Sequence, residues 1–102
     1  MQEQYVDGVD VGTGRARAGV FDAAGTMLGS ATRAIRTWRP RPDHVEQSSD
    51  DIWRAACEAV REAVDAAGIE AAAIRGISFD ATCSLVAVGQ GGAPLPVNAK
   101  GE

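Results

Sequence analysis

The run Val9-Asp10-Val11-Gly12-Thr13-Gly14-Arg15-Ala16-Arg17-Ala18-Gly19-Val20-Phe21-Asp22 places an acid and a glycine-bracketed threonine at a tight turn between two apolar stretches. Residues of these types at this spacing can bind phosphate. Glycine at 12 and 14 keeps Cβ atoms out of the turn, so amide N–H groups can approach a polyphosphate closely. Thr13 adds a hydroxyl donor in the same concavity. Asp10, at the end of the first stretch, can hold a magnesium ion through water or orient a nucleophile. A dinucleotide fingerprint would need its third glycine at position 17, which is Arg17, and no Gly-Lys-Ser/Thr follows as in a P-loop. The plainer alternative is a β-hairpin whose glycines merely serve the turn. The local pattern leaves both readings open.

The elements that would position this turn follow from periodicity. Tyr5 to Asp10 and Arg15 to Asp22 read as strands, the second from its strict alternation of arginine or glycine with apolar residues. Asp22-Ala23-Ala24-Gly25-Thr26 reads as a turn. Met27 to Trp38 reads as one long, partly polar third strand at a sheet edge, which completes an antiparallel meander. Pro40 and Pro42 end it and open a loop that holds His44. Ser48 is a candidate helix N-cap, with Asp51 three residues on and Asp50 beside it at the positive helix end. Ile52, Ala56, Ala59, Ala63 and Ala67 share one helical face, with Trp53, Cys57, Val60 and Val64 next to it, and Gly68 is a candidate C-cap. On this spacing Trp53 is expected in the core. Ile74 to Asp80 reads as an apolar, central strand returning parallel to the first across the helix. Leu85 to Val88 and Leu95 to Val97 read as short strands around a turn at Gly89 to Gly92. Val97 to Glu102 carries no structural signal.

Composition sets bounds. With 102 residues the chain is at most one modest domain, too small for a bilobed cleft. It is 45% hydrophobic and 24% charged, ordinary for a globular domain, with alanine and glycine abundant and aromatics scarce. A core of small side chains is expected. The net charge of −4 gives no support for nucleic acid or an anionic membrane as partner. The arginines at 15, 17, 33, 36, 39 and 41 read as a solvated strand face. Cys57 and Cys83 are far apart and match no metal spacing, and His44 has no partner at a ligand or Ser-His spacing. No apolar run is long enough to span a membrane and no signal peptide precedes the first strand, so a cytoplasmic protein with reduced thiols is expected.

Three segments in order resemble the N-terminal part of the FGGY family of carbohydrate kinases. Gly8-Val9-Asp10-Val11-Gly12-Thr13-Gly14, with Arg17 and Phe21-Asp22, is similar to the family's opening phosphate motif. Val45-Glu46-Gln47-Ser48-Ser49-Asp50-Asp51-Ile52-Trp53 is similar to the run that begins its first long helix. Gly76-Ile77-Ser78-Phe79-Asp80-Ala81-Thr82-Cys83-Ser84 stands at its sugar-contacting loop. The resemblance covers nearly the whole chain. It implies an α/β fold of the ribonuclease H-like type shared by actin, Hsp70 and sugar kinases. Residues 1–102 would be part of the first lobe: a three-stranded antiparallel meander, a crossover helix, a parallel fourth strand and short extra strands. The form of the third segment looks like pentulose kinases acting on D-ribulose and related ketopentoses or pentitols, which implies ATP, magnesium and γ-phosphoryl transfer to a terminal hydroxyl.

Carried over by position, the resemblance has Asp10 holding magnesium and its waters. Gly12, Thr13 and Gly14 would line the phosphate hairpin, and Arg17 would neutralise phosphate charge. Ala81, Thr82 and Cys83 would border the sugar, with Asp80 structural or a sugar contact. Glu46 and Gln47 read as a loop brace before the helix. No histidine accompanies Cys83, so it is a small loop residue rather than a nucleophile. No catalytic residue is expected in these 102 residues, because the family's base, an aspartate, lies much further along. Arg15 departs from the family, which usually has a serine there. The sugar, the remaining lobe and a second copy of the longer protein are the expected partners. The chain alone is expected to be inactive and marginally stable. The alternatives are a non-catalytic remnant or interaction module of such a kinase, and a chaperone-type or filament relative of the same fold.

Overall fold

A computed structural model describes residues 4–42, 44–81, 87–88, 90–92 and 94–95. Strands β1 (Tyr5–Val11), β2 (Arg15–Asp22) and β3 (Met27–Ala34) form the antiparallel meander. Helix α1 (Ser49–Ala67) then crosses over, and β6 (Ile74–Ala81) returns parallel to β1, giving the sheet order β3-β2-β1-β6. Between β3 and α1, β4 (Thr37–Arg41) and β5 (His44–Gln47) pair as a separate hairpin. Two-residue strands β7 (Ala87–Val88) and β8 (Pro94–Leu95) also pair antiparallel. The mixed α/β class is as the sequence indicates; of the short strands expected at Leu85 to Val88 and Leu95 to Val97, Ala87, Val88 and Leu95 are on strands, and Leu85, Val86, Pro96 and Val97 lie outside the described residues.

The turns and caps have their expected local causes. Asp22 Oδ1 accepts from the N–H groups of Ala24 (3.0 Å) and Thr26 (2.9 Å), and Gly25 supplies φ +86°. Ser48 Oγ accepts from Asp51 N–H at 3.3 Å, and Gly68 ends the helix in the left-handed region with its N–H shared by the Val64 and Asp65 carbonyls. The core is built of small side chains: Val9, Ala16, Ala18 and Val20 from the sheet meet Ala55, Ala56, Ala59 and Ala63 from α1, with Ile35 alongside. Contact is direct at Gly29 of β3, where a Cβ would lie 2.5 Å from both the Ala63 carbonyl oxygen and the Ala67 nitrogen.

Four expectations change. Met27 to Trp38 is two strands, broken at Ile35 and Arg36, because long-range bonds capture the backbone there. Ile35 N–H donates to the Gly14 carbonyl (3.0 Å) and Arg36 N–H to Asp51 Oδ2 (2.7 Å). Pro40 and His44 lie on strands rather than in an open loop, since an edge strand tolerates proline. Trp53 is 65% exposed, not core: α1 lies on its alanine stripe, held close at Gly29, and of the neighbouring stripe Val60 and Val64 pack part-buried at the flank while Trp53 faces out. β6 is an edge strand among the described residues, not a central one. Its Ile77 and Phe79 are register partners of Asp7 and Val9 on the α1 side of the sheet, but α1 packs on β3 and β2 and leaves them 50% and 53% exposed. The arginines also divide. Arg33 forms ion pairs with Glu58 and Glu62 of α1, and Arg36 stacks 4.9 Å from the Trp38 ring centre, while Arg15 and Arg17 are exposed.

Candidate functional site

Alternation along the strands sends Val9, Ala16, Ala18 and Val20 toward α1 and their neighbours to the opposite, open face. Asp10 pairs in register with Arg17 on one side and Asp80 on the other, and Gly8 pairs with Gly19 and Ser78. Three of the chemistry-bearing residues therefore share one row at the same end of the sheet. A groove of about 510 Å³ runs over this face, lined by Asp10, Arg17, Asp80, Ser30 and Ser78. Its far wall is Phe21 and Met27, whose ring and sulfur lie over the Gly19 backbone.

Asp10 and Asp80 are register neighbours, and the Asp10 carboxyl, through hydrogen bonding first and then through lost solvent and like-charge repulsion, raises the pKa of Asp80 from its ordinary value. A divalent cation or a hydroxylated ligand would relieve the repulsion. Among the described residues no three His, Cys, Asp or Glu side chains converge as a metal cage, so an ion here would keep several waters.

Beyond Asp10 the chain enters the β1–β2 hairpin. Gly12 N–H donates to the Arg15 carbonyl at 2.9 Å and closes it. The carbonyls at its tip are turned inward: that of Gly14 accepts from Ile35 N–H, and that of Thr13 accepts from the Gln47 side-chain amide. In a planar peptide the N–H opposes the carbonyl, so the N–H of Gly14 faces away from the protein. It makes no hydrogen bond to any described residue. The two glycines are not demanded by the turn. Neither has positive φ; a Cβ on Gly12 would make ordinary contact with the Arg15 carbonyl at 3.5 Å, and one on Gly14 would meet nothing within 4 Å.

The structure thus gathers Asp10, Gly12, Thr13, Gly14, Arg17, Asp80 and Ala81 at one end of the sheet, all but Gly12 exposed. Thr82 and Cys83, expected at the sugar, lie outside the described residues. Gln47, read as a brace before the helix, is bonded to the hairpin itself. Buried Asp7 had no sequence signal. It is 4% exposed on β1 under the rim of α1, its Oδ1 has no partner, and burial raises its pKa.

A meander, a crossover helix and a parallel return, with an acid at the end of the first strand and a glycine hairpin beyond it, define a ribonuclease H-like domain of the sugar kinase, actin and Hsp70 type. The solved structure of gluconate kinase from Lactobacillus acidophilus superposes on 92% of the chain with a TM-score of 0.82 at 22% identity, covering 19% of that enzyme. The chain belongs to the FGGY family of carbohydrate kinases: residues 5–94 match the family's N-terminal domain. It is 48% identical over 98% of its length to a human FGGY carbohydrate kinase domain-containing protein. It is 46% identical over 85% of its length to a D-ribulokinase of Saccharomyces cerevisiae. The chain spans 18% and 12% of these two relatives. No helix among the described residues is long and apolar enough to cross a membrane.

Proposed function

We propose that this chain is the front wall of an ATP-dependent kinase that phosphorylates a terminal hydroxyl of a pentulose such as D-ribulose. The observation that carries the reading is the hairpin tip. Glycines that neither the turn nor the packing requires leave room for a body outside the chain, and the amide beside Gly14 points at that room. The donor set fits a nucleotide's phosphates with their divalent ion. In this reading Gly12, Thr13 and Gly14 line the phosphate hairpin: the outward Gly14 amide and the Thr13 hydroxyl donate to the phosphates, Gly12 keeps a Cβ out of the turn, and exposed Arg17 neutralises their charge. Asp10 holds magnesium through water. When bound, ATP supplies the phosphoryl group; the protein positions it and screens its charge. Asp80 and Ala81, with Thr82 and Cys83, border the sugar. The base that takes the hydroxyl proton lies in the longer protein, so the 102 residues alone turn over no sugar.

The choice of a pentulose rests on the Phe79-Asp80-Ala81-Thr82-Cys83-Ser84 segment and on likeness to a D-ribulokinase. A coupled ADP-release assay on the complete protein that carries this chain tests it. D-ribulose should be the preferred acceptor over D-xylulose and glycerol. Preference for glycerol would overturn the substrate, and absence of turnover with every polyol, nucleotide binding intact, would favour a non-catalytic descendant.

A further inference from the structure

We propose that Gln47 is the positioning residue of the phosphate hairpin and sets its affinity for nucleotide; the proposal rests on the reading of Gly12 to Gly14 given above. The hairpin has one backbone bond of its own, from Gly12 N–H to the Arg15 carbonyl. The two peptide units at its tip flank Gly14, the residue type with the widest choice of backbone conformations. Each is tethered from elsewhere: the Gly14–Arg15 unit by Ile35 N–H, the Thr13–Gly14 unit by the Gln47 amide. The second tether matters for ligand binding, because it fixes the carbonyl whose partner N–H is the outward one. Without it the peptide can flip and present the negative end of its dipole to a phosphate.

Gln47 is well placed to hold that orientation. It is the last residue of β5, pairs in register with Thr37 of β4, and immediately precedes the helix N-cap Ser48, whose carbonyl accepts from Ile52 N–H at 3.0 Å. The donor is thus anchored by a strand on one side and a capped helix on the other. The role calls for an amide. A glutamate of the same shape has no N–H to give and would set a carboxylate oxygen against the Thr13 carbonyl.

The test compares Gln47→Ala and Gln47→Glu with the wild type in the complete protein. Mg·ADP affinity is measured by calorimetry, KM for ATP and for the sugar separately, and thermal unfolding alongside. Loss of one hydrogen bond that orients the tip should weaken Mg·ADP binding about five- to tenfold in Gln47→Ala and at least as much in Gln47→Glu. KM for ATP should rise in parallel, with KM for the sugar and the unfolding temperature unchanged. Wild-type affinity in either variant overturns the proposal, as does an equal rise in both KM values with a fall in unfolding temperature. If the wild type itself fails to bind Mg·ADP, the hairpin is not a nucleotide site and both readings fall. If it binds and the variants bind equally well, only the brace is lost.

Discussion

A Cβ on Gly29 would lie 2.5 Å from backbone atoms of Ala63 and Ala67, whereas one on Gly14 would meet nothing within 4 Å. The first glycine is explained by the chain itself, since α1 lies directly on β3. The second has no neighbour in the chain that demands it, and in the proposed reading its smallness leaves room for a phosphate. The two halves of the sheet differ in the same way. Under α1, β2 and β3 close a dry layer of alanine and valine. Around β1 and β6, polar groups face outward at the hairpin and Ile77 and Phe79 lie uncovered.

The largest effect expected from this contrast is at Gly29. Gly29→Val should cost about 3 kcal/mol, because the helix must retreat from a well-packed sheet. Urea unfolding measures it, and an unchanged midpoint would break the contrast from the closed side. Next is Asp7, the one buried carboxyl without a full set of partners among the described residues. Asp7→Asn should stabilise the fold by about 1–2 kcal/mol at neutral pH, since it removes the cost of burying an unpaired charge. Burial raises the pKa of Asp7. Its penalty is therefore absent below the unfolded-state value, about 3.9, and grows as pH rises to the folded-state value. The gain from Asp7→Asn should vanish in acid; a gain independent of pH would refute this cause.

Asp51 carries the opposite sign. The bond from Arg36 N–H holds its carboxyl below the usual range, opposed by slight burial and aided by Arg54. Its contribution is fully present above the unfolded-state value and is lost as pH falls through the folded one. Asp51→Asn should cost about 1 kcal/mol at neutral pH in urea unfolding. A cost that persists undiminished in strong acid would assign the effect to packing rather than charge.

Much of this was legible in the sequence where the cause is local. Ser48, Asp51 and Gly68 delimit α1 through their own caps, and Asp22 and Gly25 make their turn unaided. The acid and glycines of the hairpin were visible as a motif, and the parallel return of β6 put Asp80 beside Asp10. What was not legible has non-local causes. Nothing at Ile35 and Arg36 marks a strand break; the break is made by Gly14 and Asp51, distant in sequence. Two apolar stripes run side by side on α1, and the sheet it packs on buries the alanine stripe while Trp53 at the edge of the other faces out. The apolar character of β6 suggests burial that the described residues do not supply. The hydrogen bond from Gln47 to Thr13 spans 34 positions and leaves no trace in either local pattern.

The smallest stability effect is expected where the functional effect is greatest, at Gly14. The decisive measurement is calorimetric titration of Mg·ADP into the complete protein carrying Gly14→Ala, paired with urea unfolding of the same variant. The unfolding free energy of the variant should lie within about 0.5 kcal/mol of wild type. Its binding should be weaker about tenfold or more, equivalent to ~1.4 kcal/mol, as the new methyl occupies space that a phosphate would fill. Unchanged binding, with or without a loss of stability, would contradict this.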